Sequence, residues 1–101
     1  MNSSDIQVTV VARIKAKPGM EQKVKEELLK LLAPTHAESG CINFDMHQAL
    51  QDEAQFLFHE NWTSEADLRE HLATPHISSW IAQSEVLLAE PIEITLWRRV
   101  A

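Results

Sequence analysis

Only two of the 101 residues are glycine, Gly19 and Gly40, only Cys41 is cysteine, and tyrosine is absent. A dinucleotide fingerprint or a phosphate-cradling loop needs two or three glycines close together, because only glycine lets backbone amides wrap a phosphate. No stretch of this chain meets that need, so no nucleotide cofactor loop is expected. One cysteine makes neither an intrachain disulfide nor a thiolate zinc site. The opening Met-Asn-Ser-Ser-Asp lacks the basic and apolar regions of a secretory signal, which makes the cytoplasm the expected location. The longest apolar run, Val86 to Ala89, falls far short of the roughly 20 residues that span a membrane. Basic residues are also few: 9 Lys and Arg stand against 15 Asp and Glu, a net charge of −6. They are interleaved with acids, as at Lys23, Lys25 and Lys30, or reduced to Arg98 and Arg99, whereas nucleic-acid binders gather them on one face. Neither nucleic acid nor a membrane is an expected partner. The length suits a single domain over residues 1–101.

What is present is periodicity. Ile6 to Ile14 alternates apolar and polar residues, the signature of a half-buried strand, and Lys17-Pro18-Gly19 ends it with turn chemistry. Met20, Val24, Leu28 and Leu31 recur at helical spacing, with Glu21/Lys25 and Glu26/Lys30 as i,i+4 pairs. Pro34 predicts a break near Leu32, and Gly40 closes the element. Cys41 to His47, with Ile42, Phe44 and Met46 apolar, and Gln55 to Trp62 read as an antiparallel pair. Ser64 with Asp67 resembles a capping box before a short helix carrying Leu68 and Leu72. Thr74-Pro75 starts a second helix with Ile77, Trp80 and Ile81 inward. Ile92 to Val100 alternates again, with Ile92, Ile94, Leu96 and Arg98 on the inner row. The order β-α-β-β-α-β predicts an α+β, ferredoxin-like fold: a four-stranded antiparallel sheet with helices on one face. The opposite face, with Val11, Leu57, His59, Thr95 and Trp97, is too apolar for bare solvent, which suggests self-association into a homodimer.

Few residues can carry chemistry. Glu60 shares its strand face with Phe56, Phe58 and Trp62, and a desolvated carboxylate must be paired, hydrogen-bonded or protonated. Either it pairs with a helix residue or sits at a wet strand end, or it lines a pocket and orients a histidine. His71 and His76 flank the helix break at Thr74-Pro75. They are surface or satisfied core residues, or one of them is a general base near neutral pH. No metal site is expected: the two histidines are not at i,i+3 or i,i+4, and Thr63 spoils any H-E-x-x-H motif begun at His59. Cys41 reads as a structural thiol.

The run Glu60-Asn61-Trp62, then Leu68, His71-Leu72 and Thr74-Pro75-His76, with Lys17-Pro18-Gly19 and Glu38-Ser39-Gly40-Cys41 upstream, resembles the antibiotic biosynthesis monooxygenase family, in particular its short quinol-monooxygenase-like members. The likeness runs from Ile6 to about Trp97. It implies two ferredoxin-like protomers forming a dimeric α+β barrel, each with a pocket between sheet and helices. It also implies oxidation of a quinol or polyphenolic small molecule by O2 without flavin, haem or metal. On that likeness His71 or His76 is the base, Glu60 orients it, and Trp62, Phe44, Phe58 and Trp80 wall the pocket. The first strand lacks the asparagine of haem-degrading relatives. Two other readings stand beside this one. An isomerase of a small phosphorylated or dicarbonyl metabolite would use Arg98 as its cation, and a non-catalytic small-molecule-binding dimer would share the fold alone.

Overall fold

A computed structural model describes residues 6–101. Strand β1 (Val8–Lys15) is followed by helices α1 (Glu21–Leu29) and α2 (Leu32–His36), strands β2 (Cys41–Gln48) and β3 (Gln55–Trp62), helices α3 (Glu65–Leu72) and α4 (Pro75–Leu87), and strand β4 (Glu93–Trp97). The sheet order is β2-β3-β1-β4, with every neighbouring pair antiparallel. This is the ferredoxin-like fold the periodicity predicts.

Local chemistry explains the joints. Gly19 sits at φ 88°, and the Met20 amide donates to the Lys17 carbonyl at 2.9 Å, so Pro18-Gly19 forms the centre of a turn that only a residue tolerant of positive φ can complete. Pro34 lies in the first turn of α2, where an amide hydrogen would have no helical partner, so it restarts the helix rather than bending it. The expected charge pairs of α1 are replaced by another: Glu27, not Glu26, takes both Lys23 and Lys30 at 3.0 Å. Those two ammonium groups pull its carboxyl down to about 2. Gly40 lies outside the positive-φ region. Its role is close approach, because a Cβ there would collide with Asp67 Cβ and Cγ.

Register places the site. One row across the helix-facing side reads Phe44, Glu60, Val10, Leu96, and the next reads Met46, Phe58, Ala12, Ile94. Glu60 therefore sits mid-sheet, with Phe44 on one side and Val10 on the other. A bulge between Cys41 and Asn43 breaks the alternation in β2, so Ile42 faces solvent instead of continuing the row of Phe44. The core is built from Val10, Val24, Leu28, Phe44, Phe58, Trp62, Ile77 and Trp80 among others. Two residues of the expected inner stripe differ: Ile81 is 43% exposed, and Leu72 is also accessible. Among the described residues, no helix is long and apolar enough to cross a membrane.

Candidate active site

Between the sheet and helices α3 and α4 lies a cavity of about 50 Å³, or about 500 Å³ when all empty space in it and its mouth is counted. Phe44, Phe58 and Trp80 line it, with Glu60 and His71 as its polar groups among aliphatic walls. Phe44 and Phe58 stack with ring centroids 4.4 Å apart. Leu72, Ile81, Ile92 and Ile94 lie at the same cavity, and Ile81 and Ile94 are exposed to solvent.

His71, in the last turn of α3, is only 3% exposed. Its Nδ1 lies 2.8 Å from Glu38 Oε2. A carboxylate oxygen accepts only, so Nδ1 carries the hydrogen in the neutral ring and the lone pair falls on Nε2. The ring is sandwiched by Trp62, at a centroid distance of 4.4 Å, and by the edge of Phe44 at 5.6 Å. Burial pushes its pKa below the ordinary histidine value, against the opposing pull of Glu38. Thr74, at the N-cap position of α4, does not cap that helix with its hydroxyl. It donates instead to the His71 carbonyl at 2.7 Å, tying the end of α3 to the start of α4.

Among the described residues, Glu60 pairs with no histidine. Its Oε1 accepts from the Trp62 indole N–H at 2.9 Å. Desolvation drives its pKa up to about 7, partly opposed by that hydrogen bond and assisted by the charge of Glu38. The group thus keeps its proton to far higher pH than an ordinary carboxylate, inside an apolar cavity.

The expected roles are thus redistributed. The carboxylate that orients His71 is Glu38 rather than Glu60, because the turn after α2 brings Glu38 under α3 from 33 residues away. Trp62 is fully buried behind His71 and does not line the cavity. His76, in the first turn of α4, also lies outside it. Its Nε2 is 3.1 Å from Thr35 Oγ1 and 3.3 Å from the same Glu38 oxygen. Arg98 follows the last residue of β4 and borders a separate surface groove with Val8, Glu65 and Trp97. The inner row ends before reaching it. Glu38 and Thr35 escaped the sequence reading as chemical residues. Only the Glu38-Ser39-Gly40-Cys41 segment signalled the former, and nothing signalled the latter. Burial and the charges of Glu38, Glu60 and Asp45 raise the Cys41 thiol, so it is a poor nucleophile.

A ferredoxin-like α+β protomer with an aromatic pocket between sheet and helices, armed with a carboxylate-held imidazole, defines a class of small-molecule domains. Residues 7–83 match the antibiotic biosynthesis monooxygenase family, and the chain belongs to it. It is 30% identical to a Mycobacterium tuberculosis protein provisionally named a monooxygenase, over 88% of this chain and 87% of that one. It is 28% identical to a Bacillus subtilis protein of the same provisional name, over 86% and 92%. Its fold superposes on a crystal structure of a Pseudomonas aeruginosa protein with TM-score 0.91 at 33% identity, covering 99% of this chain and 100% of that one.

Proposed function

We propose that this chain is a monooxygenase that oxidises a quinol or other polyphenolic small molecule with O2, using no flavin, haem or metal. One observation carries the reading most: a buried imidazole, held at Nδ1 by Glu38, lines a cavity walled by Phe44, Phe58 and Trp80. Ground-state O2 accepts electrons from closed-shell molecules one at a time, so the substrate must first become electron-rich. His71 removes a phenolic proton, and its lowered pKa keeps it free to do so at neutral pH. The phenolate passes one electron to O2, the radical pair combines at a ring carbon, and loss of water leaves the product. The balance closes: a hydroquinone and O2 give a hydroxyquinone and H2O. Glu60 in its protonated form donates a hydrogen bond to the oxygen that develops charge, and the apolar walls strengthen that bond by excluding water.

The substrate is uncharged on this reading, because among the described residues no lysine or arginine lines the cavity, and the stacked rings of Phe44 and Phe58 suit a planar one. That absence and the position of Arg98 count against a phosphorylated substrate. At about 50 Å³ the cavity is smaller than the roughly 150 Å³ that admits a benzene ring, so an oxygenase substrate and a merely bound ligand alike require its walls to move. Leu72 and Ile81, accessible residues at the cavity, are the side chains whose outward swing would enlarge it. Incubation of chelator-treated protein with a hydroquinone panel under 18O2 separates the two. One labelled oxygen in the product supports the oxygenase, and absence of product supports binding alone.

The working form is a homodimer in which two sheets close an α+β barrel. Supporting this, Trp97, Ile94 and Leu96 on β4 are about half exposed, an apolar strand edge open to a partner.

A further inference from the structure

The geometry points to a divalent transition-metal site, of the kind that takes Zn2+, formed by Glu38, His71 and His76 at the junction of α2, α3 and α4. No spacing rule would find it, because its ligands come from three segments. Glu38 Oε2 lies 2.8 Å from His71 Nδ1 and 3.3 Å from His76 Nε2, and the three donor atoms all fall within 4.8 Å of one another. A tetrahedral zinc ion with bonds near 2.0–2.1 Å separates its ligand atoms by about 3.3 Å. The Glu38–His76 distance already has that value, and the Glu38–His71 distance needs to open by only about half an ångström. Thr35 Oγ1, 3.1 Å from His76 Nε2, offers a fourth donor atom, an oxygen, beside the same point.

Two further features fit a cation. Glu38 is a largely buried carboxylate, 17% exposed, and both of its ion-pair partners are histidines; among the described residues no lysine or arginine meets it. The centre therefore brings one carboxylate and two imidazole nitrogens together with no lysine or arginine beside them. Trp62, Phe44 and the Thr74 hydroxyl hold His71 in place, while the partial exposure of Glu38 and His76 leaves an approach from solvent. Two nitrogens and a carboxylate oxygen suit a borderline ion such as Zn2+ or Co2+ better than Mg2+ or Ca2+, which prefer all-oxygen shells.

The ion opposes the oxygenase reaction rather than serving it. Metal on Nδ1 confines the remaining ring hydrogen to Nε2, so His71 can no longer accept a proton from the cavity. That consequence rests on the oxygenase reading; the binding itself does not.

Titration of tag-free, chelator-treated protein with Zn2+ and with Co2+ alone tests the site. One ion binds per chain in the micromolar range or tighter. The cobalt form shows visible d–d bands without the near-ultraviolet charge-transfer band of a thiolate. Glu38→Gln and His76→Ala each weaken binding roughly tenfold or more, and Cys41→Ser leaves it unchanged. No binding in the micromolar range, or binding that survives both ligand substitutions, overturns the proposal. If circular dichroism shows Glu38→Gln unfolded, His76→Ala on the partly exposed ligand decides. No substrate is involved, so failure here leaves the oxygenase reading intact, and an inactive protein that binds the ion leaves the site intact.

Discussion

At the scale of single residues, Glu60 and His71 face one cavity and are shifted in opposite directions from a common cause, the loss of water around a charge. In the unfolded chain Glu60 ionises near 4.5, but in the folded protein it keeps its proton to about 7. Folded stability therefore falls as pH rises from about 4.5 to 7, and the loss is complete above that window. Glu60→Gln removes it. The variant's advantage over wild type in thermal unfolding grows from near zero at the acid end to on the order of 3 kcal/mol above neutrality. A difference that stays constant with pH would remove desolvation as the cause. His71 runs the other way: its folded pKa lies below the ordinary value near 6.5, so its contribution is present above that pH and fades as pH falls through it. Glu38→Ala leaves the buried His71 N–H without its acceptor. It costs about 1–3 kcal/mol in denaturant unfolding and lowers kcat by misorienting the ring, with less effect on KM.

At the scale of elements, the site depends on how helix ends are tied together. Gly40 lets the backbone before β2 pass against Asp67, whose carboxylate accepts from Thr63 and Ser64 at the start of α3. Gly40→Ala pushes Asp67 out of that cap and destabilises the protein by about 1–3 kcal/mol, measured by urea unfolding. Thr74→Val, which loses only the bond to the His71 carbonyl, costs about 1 kcal/mol. Most of the elements were legible from periodicity, because alternation in β1, β3 and β4 and the Ser64 and Thr74-Pro75 starts obey local rules. Within the site, periodicity put Phe44, Phe58, Glu60 and Trp80 on inward rows, while the resemblance to the family, not any period, pointed to Phe44, Phe58 and Trp80 as walls and to His71 or His76 as base. Glu38 was not legible, since no periodicity links a turn residue to a helix 33 positions later. Nor could spacing show that Arg98 falls beyond the end of β4, or that a bulge turns Ile42 outward.

At the scale of the whole molecule, the inner side of β4 is left about half exposed at Ile94 and Leu96, while the outer sheet face mixes Trp97 with a ladder of amides and hydroxyls joining Asn43, Asn61 and Thr9. A partner protomer would cover both surfaces. Sedimentation velocity of the wild type at micromolar concentration gives a dimer, and Trp97→Glu shifts it toward monomer; a wild type that sediments as a monomer removes the barrel from the account. If His71, held by Glu38, deprotonates an uncharged quinol so that it reacts with O2, chelator-treated protein takes up oxygen above buffer with at least one member of a hydroquinone panel, loses about a hundredfold or more of that rate in His71→Ala, and loses less in His76→Ala, whose ring lies outside the cavity. No uptake with any quinol, or full uptake in His71→Ala, contradicts the oxygenase reading.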